Sequence, residues 1–306
     1  MISENYDAVI FSGYASFTHQ AAFWITKLKK VPAILWYRSH DSSSSLFRRI
    51  LSPYIDAIIK KSDALLVPGE KSLQHLLIRG ADQQRIFRVG NTIDNDSFKQ
   101  SLREYDDIGK KEIRKQLGLA DQKIILYVGR LVGVKGLFVL LDSLKTVEKE
   151  IPGVLLLVVG DGYLRGDLES YCQEMRIKSV RFEGFIQPSD LGKYYFSADV
   201  MALPSRYETW GLVINEAMVF GLPVVTTSGV GAAGEIVVDK KTGFIIPPDE
   251  PAKLAEALGR ILSDTSLARQ LGENAQRMIA EHSPERSAQG FVDAVRFVMK
   301  EITRTD

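Results

Sequence analysis

Short apolar runs alternate with longer helical patterns through most of this 306-residue chain. The run Val154–Val159 is apolar at every position, which is typical of a central strand that helices cover on both faces. Strand patterns that alternate with helix patterns are the signature of parallel sheets. The sequence therefore predicts an α/β fold built on parallel strands.

The predicted strands form two series, separated by a charged segment at residues 99–122. The first series comprises Ala8–Phe11, Ala33–Trp36, Ala64–Val67 and Phe87–Val89. The second comprises Ile124–Val128, Val154–Val159, Val180–Phe182, Val200–Leu203, Pro223–Thr226 and Phe244–Ile246. An amphipathic helix, Pro284–Arg304, closes the chain, with proline where a first helical turn tolerates it. We expect two unequal α/β halves, with a loop at Ser42–Ser45 in the first.

The composition is that of a globular protein. With 45% hydrophobic residues the chain can fill one or two cores. No stretch reaches the roughly 18 uncharged apolar residues of a membrane-spanning helix, and residues 1–7 lack the basic-then-apolar order of a signal peptide. The single cysteine, Cys172, makes no internal disulfide, and we expect it to be a packing residue. These observations predict a cytoplasmic protein.

Charge is unevenly distributed, although the net charge is only +1. Residues 1–90 hold 12 lysines and arginines against 7 aspartates and glutamates, and the basic residues lie beside apolar ones, as at Lys60-Lys61. Such a surface fits an anionic lipid layer at the inner face of a membrane, or a phosphorylated acceptor. The solvated faces of ordinary amphipathic helices explain the same pattern. We expect no nucleic-acid partner.

The first candidate site is the segment Gly129–Gly136, which follows a predicted strand and contains Arg130 and Lys135. A glycine-rich turn from a strand into a helix lets backbone N–H groups approach an anion, and the helix N-terminus adds partial positive charge. Arg130 and Lys135 are placed to bind a diphosphate from two sides. A flexible basic surface turn is the alternative.

The segment Gly160–Gly166 imitates a dinucleotide-binding fingerprint, because it follows a strand and Glu183 lies about twenty residues further on. Asp161 argues against that interpretation, since its carboxylate would stand where a pyrophosphate binds. The preceding strand is also the second of its series, whereas the fingerprint normally opens the first unit. We expect instead a loop at the mouth of a different ligand site.

The most informative segment is residues 204–225, in which Glu208 and Glu216 are eight positions apart. Glu208 follows a predicted strand and therefore lies past the carboxyl edge of the sheet, where open α/β folds bind ligands. Gly211 begins a helix, and Glu216 lies about one turn into it. A carboxylate can accept from two adjacent hydroxyls, so the pair fits the hydroxyls of a hexose and a ribose. Two solvated glutamates near a helix start are the alternative.

Several short motifs occur together in one order and spacing: Gly129-Arg130, Lys135-Gly136, Gly160-Asp161-Gly162, Glu183-Gly184-Phe185, Pro204-Ser205, the glutamate pair and Gly221-Leu222-Pro223-Val224. The set resembles the nucleotide-sugar half of the family-four retaining glycosyltransferases, which have the GT-B fold, and it covers roughly residues 85–285. The resemblance implies two Rossmann-like, doubly wound domains that face a cleft, the N-terminal one being incomplete.

The same resemblance implies roles for individual residues. It implies that Gly129, Arg130 and Lys135 bind the donor phosphates and that Glu216 binds the ribose. Backbone groups of Gly211, Leu212 and Val213 would flank the sugar and the phosphates, and Phe185 and Ile186 would pack on the base. Glu208 would contact the donor sugar at the catalytic centre. His40 would be the catalytic residue of the front half, with a structural or surface histidine as the alternative.

The front half matches the family less closely. The family's opening strands and glycine-rich loop have no counterpart, so we expect the chain to begin roughly 70 to 90 residues into the pattern. The usual hinge motif is replaced by Asn91-Thr92-Ile93-Asp94, which lacks its glycine. We predict a truncated acceptor-side domain at residues 1–105, a donor-binding domain at 106–284 and a helix at 285–306 that packs back toward the first domain.

The implied reaction moves a sugar from a UDP- or GDP-sugar to a hydroxyl of a glycan or lipid-linked acceptor, with retained anomeric configuration, as in cell-surface polysaccharide synthesis. Arg130, Lys135 and a helix N-terminus would offset the leaving charge, so neither a metal nor a cofactor is expected beyond the nucleotide-sugar co-substrate. A glycosidase is disfavoured, because its two carboxylates must face each other across one bond. The alternative is a non-catalytic nucleotide-sugar-binding protein or partner subunit.

Overall fold

The computed structural model of the chain describes residues 6–40, 46–119 and 121–305. By its internal contacts the chain forms two compact units, one made of Met1–Asn91 with Pro284–Asp306 and the other of Thr92–Ser283. The predicted loop at Ser42–Ser45 lies outside the described residues. In the described ranges no helix combines the length and the apolar composition needed to cross a membrane.

All ten predicted strands are present, with ends shifted by no more than two residues. They are β1 (Val9–Phe11), β2 (Ala33–Trp36), β3 (Ala64–Val67), β4 (Ile86–Arg88), β5 (Ile124–Val128), β6 (Leu155–Val159), β7 (Val180–Gly184), β8 (Val200–Leu203), β9 (Val224–Thr227) and β10 (Gly243–Ile246). The helices are α1 (Phe17–Leu28), α2 (Leu46–Lys61), α3 (Glu70–Ile78), α4 (Asn95–Ile108), α5 (Lys110–Gln116), α6 (Leu137–Glu150), α7 (Arg165–Glu174), α8 (Pro188–Ser197), α9 (Leu212–Val219), α10 (Pro251–Ser263), α11 (Thr265–Ala280) and α12 (Pro284–Thr305).

The sheet of the first unit is parallel, in the order β1-β2-β3-β4. Side chains along β2 alternate between its faces, as the period of a strand requires. Leu35 packs with Phe23 of α1 and Leu76 of α3, whereas Ile34 packs with Ala294 and Val298 of α12. Helices therefore cover both faces of this sheet: α1 and α3 pack on one face, and the terminal helix α12 packs on the other.

Helix α12 lies very close to β4. A Cβ atom added at Gly290 would lie 2.1 Å from the carbonyl oxygen of Arg88, so only glycine permits this approach. The close approach explains why the last helix groups by its contacts with residues 1–91.

The sheet of the second unit is parallel, in the order β10-β9-β8-β5-β6-β7. From β5 the chain adds β6 and β7 on one side, then returns to the other side of β5 and adds β8, β9 and β10. The direction of winding therefore reverses between β5 and β8. In open α/β sheets the carboxyl ends of the two strands at such a switch point border the ligand crevice.

Helix α4 belongs to the second unit. The ring of Tyr105 stacks on that of Phe220 with centroids 6.4 Å apart, and Phe98 meets the same ring edge-on. The side chain of Asn95 donates a hydrogen bond to the carbonyl oxygen of His282 at 3.0 Å. The boundary between the units thus falls between residues 91 and 92, earlier than the predicted boundary at 105, because the apolar side chains of this charged segment pack on the second core.

Candidate functional site

Two loops meet at the switch point of the second sheet. One follows β5 and spans residues 129–136, and the other follows β8 and spans residues 204–211. The backbone N–H of Arg206 donates to the carbonyl oxygen of Val134 at 2.8 Å. Gly136 has a left-handed φ of 70°, and a Cβ atom added there would lie 2.1 Å from the carbonyl oxygen of Pro204. The two motifs, whose residues Lys135 and Glu208 are 73 positions apart in the sequence, therefore form one structural site.

An ion pair between Lys135 and Glu208 joins the side chains of the two loops. These side chains are only 12% and 22% exposed, so the pair is well shielded from water. Arg130, by contrast, is exposed, and its carbonyl oxygen accepts a hydrogen bond from the Tyr127 hydroxyl at 2.9 Å. Burial is the main reason that the pKa of Tyr127 is raised, with the nearby Glu208 charge adding to it. Tyr127 is therefore a neutral donor that holds the loop.

The backbone of Glu208 is fixed from both sides. Its N–H donates to the carbonyl oxygen of Gly229 at 3.1 Å, and its own carbonyl oxygen accepts from the N–H of Gly231 at 2.8 Å. Added Cβ atoms at Gly229 and Gly231 would lie 2.1 and 2.0 Å from carbonyl oxygens of Arg206 and Thr209. The glycines allow the loop after β9 to lie directly against the segment that positions the Glu208 carboxylate.

Helix α9 begins at the same place. Gly211 caps it with a left-handed φ of 95°, and the helix starts at Leu212. The first N–H groups of a helix have no partner within the helix, and they provide donors and partial positive charge for an anion. Leu212 is exposed and Val213 is half-buried, so this end of the helix is open to a ligand.

Glu216 lies on α9, and its environment differs from that of Glu208. Its Oε2 atom accepts a hydrogen bond of 2.6 Å from the hydroxyl of Tyr195 on α8. Burial raises the pKa of the Glu216 carboxyl, and the hydrogen bond from Tyr195 opposes that rise. One glutamate thus pairs with a cation, and the other with a neutral phenol.

The Gly160-Asp161-Gly162 segment supports the loop after β5. Added Cβ atoms at Gly160 and Gly162 would lie 2.0 and 2.4 Å from the carbonyl oxygens of Gly129 and Leu131. The N–H of Leu131 donates to the carbonyl oxygen of Asp161 at 2.9 Å. These glycines are needed for contact between two loops rather than for contact with a pyrophosphate.

The two remaining groups of predicted residues lie on other elements. Phe185 and Ile186 follow β7, at the same edge of the sheet as the loops already described, and Phe185 is 68% exposed. His40 belongs to the first unit, where it is half-buried shortly after β2 ends at Trp36. Its catalytic role stays a prediction.

Sequence reasoning missed Tyr195 and the spacing Asp94-Asn95-Asp96, which resembles a metal-binding motif. In the structure Asp94 caps α4 by accepting from the N–H of Ser97 at 3.1 Å, and Asp96 pairs with Lys99. Those carboxylates have structural uses. The sequence gives only a weak signal for Tyr195. A buried tyrosine usually has a hydrogen-bond partner for its hydroxyl, but the sequence does not show that this partner is Glu216 on another helix.

The fold is that of an open parallel α/β protein with its candidate site at the switch point of the second sheet, and comparison with known proteins assigns the family. A model of the glycosyl transferases group 1 family matches residues 109–278, and the chain belongs to that family. An uncharacterised glycosyltransferase of Methanocaldococcus jannaschii is 34% identical over 199 residues, which are 64% of this chain and 50% of that protein. The α-D-kanosaminyltransferase of Streptomyces kanamyceticus is 26% identical over 268 residues, 83% of this chain and 68% of that protein.

The fold is the GT-B fold of known glycosyltransferases. A crystal structure of Anabaena Alr3699/HepE in complex with UDP superimposes with a TM-score of 0.75 at 22% identity. The match covers 98% of this chain and 78% of that chain. The predicted fold class is therefore confirmed.

Proposed function

We propose that the chain is a retaining glycosyltransferase that binds a UDP- or GDP-sugar and transfers the sugar to a hydroxyl acceptor. The main support is the convergence of Lys135, Glu208 and the N-terminus of α9 at the switch point of the second sheet. A cation, a carboxylate acceptor and backbone donors thus lie where an open α/β sheet binds its ligand. Glu216 adds a second carboxylate from the same helix.

Binding of the donor diphosphate would exchange the partner of Lys135. Its ammonium group would leave Glu208 for phosphate oxygens, and Arg130 with the N–H groups of Leu212 and Val213 would add further donors. Fixed positive groups of this kind stabilise the charge that develops on a departing diphosphate, and no metal is needed for it. Glu208 would then be released to accept hydrogen bonds from the sugar hydroxyls.

The other half of the donor would lie along the same edge of the sheet. Glu216 would accept from the two ribose hydroxyls, and the exposed ring of Phe185 with Ile186 would pack on the base. A protein of the same fold from Anabaena was crystallised with UDP, which is the kind of ligand proposed here.

In the reaction, the bond between the anomeric carbon and the diphosphate oxygen breaks, and the acceptor oxygen forms a bond to that carbon on the same face. The acceptor proton passes to the departing diphosphate. His40 is the proposed catalytic residue from the first unit, and the acceptor is a glycan or a lipid-linked molecule.

A lipid-linked acceptor agrees with the surface of α1. Phe17 and Leu28 are each 83% exposed, and their eleven-residue separation puts them on one side of the helix. The exposed Lys29 and Lys30 follow directly. Exposed apolar side chains beside lysines are suited to an anionic lipid surface, so we propose peripheral contact with the inner face of a membrane from a cytoplasmic location.

A thermal-shift screen with UDP-, GDP- and ADP-sugars tests the proposed donor, because a ligand that binds the native state raises its apparent stability. We expect stabilisation by UDP- or GDP-sugars, followed by transfer to an acceptor or slow hydrolysis of the donor. Stabilisation without either reaction would favour the non-catalytic binding protein. Absence of a shift with every sugar nucleotide would contradict both.

A further inference from the structure

A hydrogen bond joins the fully buried Tyr195 to Glu216 of the proposed donor site. Tyr195 has no exposed surface, and its hydroxyl donates to Glu216 Oε2 at 2.6 Å. Its ring stacks on that of Phe220, with centroids 5.7 Å apart and planes 19° from parallel. Because both ends of the tyrosine are held, its hydroxyl has one fixed position relative to α9.

Tyr195 is the titratable group that faces Glu216 from α8, the helix opposite. The strands β8 and β9 also pack on α9, and neither contains an ionisable side chain. Helix α4 approaches the end of α9 through the rings of Phe98 and Tyr105, which both contact Phe220, and burial raises the pKa of Tyr105, so that its phenol is uncharged. Helix α11 approaches through the neutral amide of Gln276, which donates to the carbonyl oxygen of Val219 at 3.1 Å. The state of the Glu216 carboxyl therefore depends mainly on its burial and on the Tyr195 phenol.

A carboxylate has about four positions for incoming hydrogen bonds, and the phenol uses one of them on Oε2. The remaining positions are left for a ligand. A protonated carboxyl accepts fewer hydrogen bonds, because its own proton turns one oxygen into a donor. The two adjacent hydroxyls of a ribose require a carboxylate that is both ionised and held in one orientation.

We infer that Tyr195 is a positioning residue that holds Glu216 so that its free lone pairs accept the ribose hydroxyls, which makes the site select ribonucleotides over 2′-deoxynucleotides. The inference rests on the proposed function, since it takes Glu216 to be the ribose contact. Tyr195 lies outside the segment 204–225 that contains the two glutamates, and the residues of that segment alone do not predict this selectivity.

The test compares Tyr195→Phe with Tyr194→Phe. The first variant keeps the ring and its stacking on Phe220 and removes only the hydroxyl. The second is a matched control, because Tyr194 is also buried on α8 and also donates to a carboxylate, Glu183, at 3.2 Å. Calorimetric titration with UDP, GDP and their 2′-deoxy forms, at several pH values between about 5 and 8, gives the affinities of each variant.

We expect the wild type to prefer the better of UDP and GDP over its 2′-deoxy form by about tenfold, the value of one charge-assisted hydrogen bond. In Tyr195→Phe the preference should fall to about threefold or less, whereas Tyr194→Phe should keep it. Loss of the phenol removes a bond that favours the charged carboxylate and so raises the pKa of Glu216. Nucleotide binding by Tyr195→Phe should therefore be lost at a higher pH than in the wild type as the pH falls.

The outcomes separate the two proposals. A wild type that binds no nucleoside diphosphate overturns the proposed function, and the role of Tyr195 with it. A wild type that prefers the ribonucleotide, together with a Tyr195→Phe variant of unchanged preference and unchanged pH profile, overturns only the role of Tyr195. An equal change in both variants would show a general effect on α8 and would also overturn it.

Discussion

Replacing Gly136 with alanine should separate the two loops of the site. Two costs arise there. A non-glycine residue in the left-handed region, at the φ of 70° found here, costs about 1 to 2 kcal/mol. The new Cβ atom would also lie 2.1 Å from the carbonyl oxygen of Pro204, so the two backbones must move apart by about 1 Å, and overpacking of this kind costs about 1 to 3 kcal/mol.

The matched control is Gly153→Ala. Gly153 also has a left-handed φ, 81°, but a Cβ atom there would meet nothing within 4 Å, and it lies before the amino end of β6, opposite the site. Urea unfolding followed by circular dichroism should show a loss of about 3 kcal/mol or more for Gly136→Ala and about 1 kcal/mol for the control. The first variant alone should weaken UDP or GDP binding, by about tenfold, since Lys135 is the residue directly before Gly136 and small displacements of a site are costly.

Equal losses of stability in the two variants, together with unchanged nucleotide affinity in both, would refute this reasoning. That result would mean that the loops after β5 and β8 are not held in contact by Gly136.

Three further predictions concern the donor site and the first unit. Lys135→Ala and Glu216→Ala should each weaken nucleotide-sugar binding about tenfold or more in calorimetric titration, since each removes a charge-assisted hydrogen bond of roughly 1.5 to 3 kcal/mol. The control, Lys149→Ala at an exposed position, should leave the affinity unchanged. Unchanged isotherms for the first two variants would contradict the site. Glu208→Gln should bind UDP or GDP at least as tightly as the wild type, because Lys135 no longer has to leave a carboxylate partner. The variant should lose the extra affinity that the attached sugar gives a nucleotide-sugar. Equal weakening of binding for the nucleotide and the nucleotide-sugar would argue against the proposed transfer of Lys135 from Glu208 to the phosphates. The chain should co-sediment with anionic vesicles at low salt and be released at high salt, and no binding at any salt would remove the proposed membrane contact.

The strands were predictable because each gave a local signal. Runs such as Ile124–Val128 are apolar at every position and bounded by charged or glycine-rich segments, so their length and composition were enough. The boundary between the units was not predictable in this way. The helix Asn95–Ile108 is mostly polar, and its tertiary contacts, such as those of Tyr105 and Phe98 with Phe220, assign it to the second unit.

The site was predictable in its parts. Gly129–Gly136 and the glutamate pair were found from residue type, spacing and position after a strand. That Lys135 and Glu208 pair, and that Tyr195 donates to Glu216, could not be found in the same way, because strand order decides the first contact and the packing of α8 on its neighbours decides the second.

By itself the sequence determined the parallel α/β architecture, the ten strands and the chemical groups of the candidate donor site, since those depend on local composition and short-range spacing. The tertiary structure decided which groups meet. It set β8 beside β5, although β6 and β7 lie between them in the chain, and it left glycine where the loops touch. Contacts between residues far apart in sequence depend on the order of the strands and the packing of the helices. Both depend on many core residues together, and no single short motif specifies them.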